Sequence, residues 1–365
     1  MPPLSHEPSP LRGILLVNLG SPESTDVADV RRYLDEFLMD RHVIDAPWLV
    51  RRLIVSATIL PTRPKRTAHA YRAIWTDAGS PLIVRSQAFA AALSTRIDMP
   101  VALAMRYGEP RIDAAIDRLC AERVDEILLV PLYPQHADST RTTAIEAVHA
   151  ALAQRGARTR LRVLPPFATD PRYLDALAGA VRRHLPHDAH LLFSFHGLPE
   201  RALVRSDPTG THCLARGDCC EVPSAAHATC YRHQALATAR GVAARIALEP
   251  TRWQLSFQSR LGRLRWLEPY TDVVLDMLPA AGVRNLAVVC PAFVADNLET
   301  LEEIDIRGRA RFLGAGGETF VLIPCLNDDP AWVDAVADWC RDPPPEAPFD
   351  AAPARSDQRA IDAAR

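Results

Sequence analysis

The stretch LLFSFHGLPER, residues 191–201, ends a short apolar run on His196 and follows it with Gly197, Leu198 and Pro199. Such a run reads as a strand buried on both faces, and open parallel sheets bind ligands beyond the carboxyl ends of their strands. Gly197 permits close approach of a backbone or ligand, and Pro199 stiffens the turn. A neutral imidazole there is either structural or a general base or metal ligand. A second stretch, PAFVADNLETLEEID at 291–305, predicts a helix from Ala295. Asp296, Glu299 and Glu303 would share one face of it, with Glu302 and Asp305 turned elsewhere. Asp296 reads as a complement to the helix dipole. The plain reading of Glu299 and Glu303 is a solvated face. Leu298, Leu301 and Ile304 beside them bury part of the helix, however, and a half-buried carboxylate row can carry divalent cations or protons. The third feature is a cluster of thiols. Cys213, Cys219, Cys220 and Cys230 fall within 18 residues as C-x5-C-C-x9-C, whereas Cys120, Cys290, Cys325 and Cys340 are scattered. In a reducing compartment such a cluster suggests a metal centre before disulfides. It lacks the paired knuckles of structural zinc sites. Four cysteines suffice for a 2Fe–2S cluster, although the spacing is not that of plant-type ferredoxins. His212, His227 and His233 are nearby substitutes, and the alternative is four reduced thiols in a flexible loop.

These residues need elements to hold them. Short apolar runs at 13–19, 100–105, 126–131, 160–164, 190–195, 253–257, 285–290 and 319–323 alternate with helical patterns such as 112–122 and 173–184. Strands alternating with helices imply parallel sheets covered on both faces. Four strands precede residue 166 and four follow 189, which predicts an α/β protein of two doubly wound domains, 12–167 and 168–341, each with a four-stranded parallel sheet. Three segments break the rhythm. Residues 39–67 combine Trp48, Leu49, Val50, Leu53 and Ile54 with Arg51, Arg52, Arg63, Lys65 and Arg66. That segment reads as a lip over an apolar pocket, a membrane-surface patch, or an ordinary amphipathic helix. Residues 206–230 form the cysteine-rich insertion, and 342–365 a Pro- and Ala-rich tail expected to be disordered.

The whole-chain numbers narrow the classes further. The 365 residues are 48% apolar with a net charge of −2, which describes a globular protein and gives no field for a polyanion, so nucleic acid is not an expected partner. Of the 42 basic residues only Lys65 is lysine. No 18-residue apolar run, signal peptide, phosphate-binding or dinucleotide-binding glycine loop is present, so the expected location is the cytoplasm.

In order along the chain stand LLVNLGSPES, GSPL, MRYGEP, LVPLYPQHADST, SFHGLP, SFQSRLGRLRWLEPYTD, PAFVADNLETLEEID, FLGAGGE and IPCLND. Together they resemble the ferrochelatase family from about Gly13 to Trp339, SFHGLP with NLETLEEID being the specific pairing. The resemblance implies two flavodoxin-like, chelatase-like domains with a porphyrin cleft between them. It implies that Fe²⁺ is inserted into protoporphyrin IX to form protohaem. The alternatives are a chelatase for coproporphyrin or another metal, and a non-catalytic iron–sulfur or haem-binding regulator. By resemblance, His196 is the active-site histidine, Glu299 the carboxylate facing it across the macrocycle, and Glu303 the next relay position for the metal. Arg106 and Tyr107 match cleft residues below the ring, Leu19, Ser80 and Tyr133 the pocket lining, and Arg63 and Lys65 candidates for the propionates. The insertion resembles that of bacterial members holding a 2Fe–2S cluster, here on Cys213, Cys219, Cys220 and Cys230. Asn297 departs from members that carry a second histidine there. The basic, apolar lip allows peripheral docking to a membrane.

Overall fold

A computed structural model describes residues 11–156, 159–260, 262 and 264–347. Eight strands form two separate parallel sheets: β1 (Arg12–Ser21), β2 (Val101–Gly108), β3 (Glu126–Pro131) and β4 (Arg160–Val163), then β5 (His190–His196), β6 (Trp253–Gln258), β7 (Asn285–Val289) and β8 (Thr319–Leu322). The strand orders are β2-β1-β3-β4 and β6-β5-β7-β8, one topology used twice. The central strands are sealed on both faces. Ile14, Leu15, Leu16 and Val17 are fully buried, as are Leu191, Leu192 and Phe193, so no polar alternation marks them in the sequence.

The sheets are covered by α1 (Val27–Leu38), α2 (Trp48–Ile54), α3 (Arg63–Ile74), α4 (Pro81–Ser94), α5 (Ile112–Ala121) and α6 (Thr143–Gln154) in the first half. The second half contributes α7 (Pro171–His184), α8 (Glu200–Arg205), α9 (Tyr231–Arg245), α10 (Thr271–Ala280), α11 (Arg309–Gly314) and α12 (Pro330–Arg341). Helices α7 and α12 begin alike. Asp170 and Asp329 cap them by accepting the Arg172 and Ala331 N–H, and Pro171 and Pro330 occupy first-turn positions that need no donor.

Helix α12 crosses from the second sheet to the first. Trp332 is fully buried and stacks on Phe89 of α4 at 5.7 Å between ring centroids, and Phe167 packs between Trp332 and Trp339. Each such ring contributes on the order of 2 kcal/mol by burial. The two halves thus share one core. Residues 343–347 lie along the β4 edge, where Glu346 accepts the Val163 N–H and the Pro343 carbonyl accepts from Arg162. The rest of the tail expected to be disordered, 348–365, lies outside the described residues.

Candidate active site

In each sheet the chain reverses its direction of winding between the two central strands, and the crevice at their carboxyl ends is where such folds bind ligands. His196 is the last residue of β5 and Glu299 follows β7, so they flank that crevice in the second half. Leu19 near the end of β1 and Tyr133 after β3 hold the matching positions in the first half.

His196 is half-buried and its peptide is held by its neighbours. Strand β5 pairs with β6 as far as His196↔Gln258, and the next N–H, of Gly197, donates to the Gln258 carbonyl at 2.7 Å. A Cβ on Gly197 would lie 2.8 Å from that carbonyl oxygen, so glycine is needed for the close approach. The imidazole Nδ1 lies 2.7 Å from the Gly197 carbonyl. A carbonyl only accepts, so Nδ1 carries the proton and Nε2 of the neutral ring keeps its lone pair. Phe293 presses edge-on against the ring at 6.2 Å.

The carboxylate helix differs from the regular α-helix expected from Ala295. Asp296 lies before the helix, its carboxylate accepting from the Cys325 N–H and the Asn327 side-chain amide, and so is a buried anchor for the loop at 325–327. Asn297 and Thr300 then exchange hydrogen bonds: each side chain accepts the other's backbone N–H at 3.0 Å. This reciprocal cap starts the helix and gives Asn297 a structural task. Residues Glu299–Gly308 wind as a π-helix, a widened turn that recurs at functional sites.

Glu299 opens this turn. Burial raises its carboxyl pKa above the ordinary 4.5, a protonated His196 would counteract this, and Glu303 and Glu302 push it further up. Glu303 is fixed by Ser259, whose N–H and hydroxyl donate to its two oxygens at 2.9 and 2.5 Å. Gln258 joins the parts. Its side chain accepts from Ser194 at 2.6 Å and donates to the Glu299 carbonyl at 3.1 Å. Gln258 and Ser259 stand in the quoted SFQSRLGRLRWLEPYTD stretch, but nothing in the sequence alone gives them these partners.

Across the crevice, α3 packs on the Glu299 segment, and Leu298 seats against a cluster containing Val30, Tyr33, Ala68 and Tyr71. Burial raises the hydroxyl pKa of Tyr33 and Tyr71, and the Glu299 charge adds to it; neither tyrosine was marked by sequence reasoning. Arg63 is half-buried, its pKa lowered by burial and by Arg66 while Glu299 acts in the opposite sense. Lys65 is exposed on the same helix. Ser80 is buried at the N-cap of α4, and Leu19 is half-buried. Tyr133 is buried, and its hydroxyl has no hydrogen-bond partner among the described residues.

Arg106 and Tyr107, which the resemblance puts below the ring, stand on β2 and share a hydrogen-bond network with Asp40. Tyr107 is fully buried, and its hydroxyl donates to Asp40 at 3.0 Å. Arg106 donates to Asp40 at 2.6 Å and to Thr143 at 2.7 Å. Burial alone would raise the Asp40 pKa; hydrogen bonds from the Thr143 hydroxyl and the His42 N–H, with the Arg106 charge, outweigh it and hold the carboxyl below 3.8. Asp40 therefore pins the start of the 39–67 segment to β2 and α6. Tyr107 supports Arg106 from below.

The rest of that segment presents a free apolar surface. Trp48, Leu49 and Leu53 of α2 are 60%, 75% and 67% exposed, while Arg51 turns inward and donates to the Ile44 and Ala46 carbonyls. Among the described residues no helix is long and apolar enough to cross a membrane. Two depressions of about 310 and 330 Å³ lie away from the crevice, one around Pro165–Pro171 and Trp339, the other around Asp188, His190 and Arg252.

The four clustered cysteines are all buried. Asp207 folds the first part of their loop by accepting the His212 and Cys213 N–H, each at 2.8 Å. Nitrogens of His212 and His227 lie on the Cys219 carbonyl, and His233 on that of Cys220. Cys230 is the most acidic thiol, lowered to about 5 chiefly by a hydrogen bond from Cys220, whereas burial and the neighbouring Cys230 push Cys213 up to about 12. Four thiols within electrostatic reach of one another resist joint ionisation unless a cationic centre joins them. Among the described residues no group of three or more His, Cys, Asp or Glu is arranged around a single-ion position. Arg205, at the entrance to this loop, pairs with Asp45 of the lip at 2.6 Å.

Comparison with known proteins now adds to the geometry. The ferrochelatase family model matches residues 11–343. Curated ferrochelatases from Azotobacter vinelandii and Ectopseudomonas mendocina are 56% and 55% identical to the chain, covering 90% and 91% of it and 98% of their own lengths. Among solved structures, SirB from Bacillus subtilis with Fe3+ superposes with a TM-score of 0.51 at 14% identity, over 91% of this chain and 95% of that one. The sirohydrochlorin chelatase SirB with cobalt gives 0.51 at 12% identity, over 91% and 94%. Those two share the fold; the family model and the curated relatives, spanning nearly the whole sequence, show that this chain belongs to the ferrochelatase family.

Proposed function

We propose that this chain inserts Fe²⁺ into protoporphyrin IX, the haem-forming reaction, with His196 as proton acceptor and Glu299 as the opposing carboxylate. The observation that carries the residue assignment is the fixed tautomer of His196: its Nδ1 is committed to the Gly197 carbonyl, so the basic Nε2 is left for substrate. The reaction exchanges two pyrrole N–H protons for one ferrous ion, with no net electron transfer. Nε2 accepts one proton, and the Gly197 carbonyl stabilises the resulting imidazolium through Nδ1–H. Glu299, more basic than an ordinary carboxylate, is suited to receive the second proton or to meet the metal. Carboxylate oxygen binds Fe²⁺ less firmly than four ring nitrogens do, so transfer to the ring is downhill. Glu303, held by Ser259, is the next carboxylate on the path. Leu19, Ser80 and Tyr133 would line the ring, with Arg106 at the floor and Arg63 and Lys65 toward the propionates. The experiment is an anaerobic steady-state assay with Fe²⁺ and two porphyrins. Protoporphyrin is expected to be turned over with a higher kcat/KM than coproporphyrin; the reverse order would overturn the substrate assignment.

Cys213, Cys219, Cys220 and Cys230 are the residues that would hold a 2Fe–2S cluster. Their soft sulfur donors, burial and mutual proximity suit a centre that spreads its ligands over two irons. Such a group supplies one-electron redox capacity and bracing of the loop. Protein purified anaerobically is expected to contain two irons and two acid-labile sulfides per chain, as a dinuclear cluster requires. Both should be lost together in Cys219→Ser or Cys220→Ser, whereas sulfide-free protein would reduce the segment to thiols. We place the protein in the cytoplasm, with the exposed face of α2 as a peripheral membrane contact through which an apolar porphyrin could exchange.

A further inference from the structure

We propose that Tyr231 is a positioning residue for His196. The β7 strand accompanies β5 only as far as Phe193↔Val289, so the last turn of the catalytic strand is flanked by β6 alone. The carbonyl of His196 finds its hydrogen bond outside the sheet, from the hydroxyl of Tyr231 at 2.8 Å. Tyr231 is the first residue of α9 and is 6% exposed. A carbonyl oxygen only accepts, so the phenol is the donor. The residue before it, Cys230, caps the same helix by accepting the His233 N–H. The position of the hydroxyl is therefore fixed from the cysteine segment, 35 residues away in sequence from the histidine it holds.

The two peptides after His196 are constrained at three points: the His196 carbonyl by Tyr231, the Gly197 N–H by Gln258, and the Gly197 carbonyl by the imidazole itself. Losing the first leaves a half-buried carbonyl unpaired and frees the backbone that aims Nε2. A misplacement of this kind lowers the rate of a step needing aligned proton transfer more than it lowers binding of a large planar substrate.

This inference rests on His196 being the proton acceptor, and the test separates the two. Tyr231→Phe keeps the ring and removes only the oxygen. The expected result is a kcat about tenfold lower, with KM for protoporphyrin within about twofold. Amide exchange should accelerate in the peptide covering 190–199 and stay at parental rates elsewhere. Parental kcat in Tyr231→Phe, beside an inactive His196→Ala, would overturn the positioning role alone. Parental turnover in His196→Ala would overturn the assignment beneath it. Faster exchange throughout the chain would mark Tyr231 as a packing residue and also overturn the proposal.

Discussion

His196→Ala is expected to lower the rate of iron insertion by about 10³-fold, within the range that a lost general base commands, while protoporphyrin still binds. The reasoning is geometric. Only one nitrogen of the neutral imidazole keeps a lone pair, because the other is committed to the Gly197 carbonyl. The alanine variant keeps β5 paired with β6 and keeps the backbone bonds from Tyr231 and to Gln258, since none of them uses the side chain. Binding therefore persists and turnover does not. Fluorescence titration of the porphyrin and an anaerobic rate measured on the same preparation check both halves.

Glu299→Gln is expected to lower turnover about a hundredfold and to raise thermal stability. Its shape is that of the parent, and Gln258 still donates to the backbone carbonyl of residue 299. The variant loses the carboxylate as proton acceptor and metal contact. The stability effect follows from the raised pKa. Neutral Glu299 is the form the fold favours, so its contribution is fully present below the unfolded value near 4.5 and is lost as pH rises through the higher folded value. Above that window the parent holds a half-buried negative charge beside Glu303 and Glu302, and a glutamine does not. The melting temperature of the variant should match the parent at the acid end and exceed it increasingly as pH rises. Lower stability at neutral pH would contradict the burial argument, and parental turnover would remove Glu299 from the reaction. Function retained at a cost in stability is the usual signature of an active-site group.

Both proposed residues stand in a local pattern that the sequence shows: an imidazole at the end of an apolar run, and carboxylates flanked by leucines. The strands were legible for the same reason, since Ile14–Val17 and Leu191–Phe193 are apolar without interruption. The unread parts depend on contacts between distant segments. Asp40 stands 66 residues from Arg106 and 103 from Thr143, and no period or spacing links them. The π-helical turn at Glu299 departs from the α period that the leucines suggest. Asp296, expected at a helix start, is instead taken up by Asn327 and the Cys325 backbone on another loop. Tyr231 lies beside a cysteine that drew attention for other reasons, and its bond to His196 exists only once α9 has packed beside β5.

The most direct test of the account is a single turnover. Parent and His196→Ala are each loaded with one equivalent of protoporphyrin and mixed with Fe²⁺ without oxygen, and the loss of porphyrin fluorescence is followed. The account predicts that the parent quenches its bound porphyrin as haem forms, while the variant keeps a bound, fluorescent, metal-free ring. Quenching of the variant at the parental rate would contradict it.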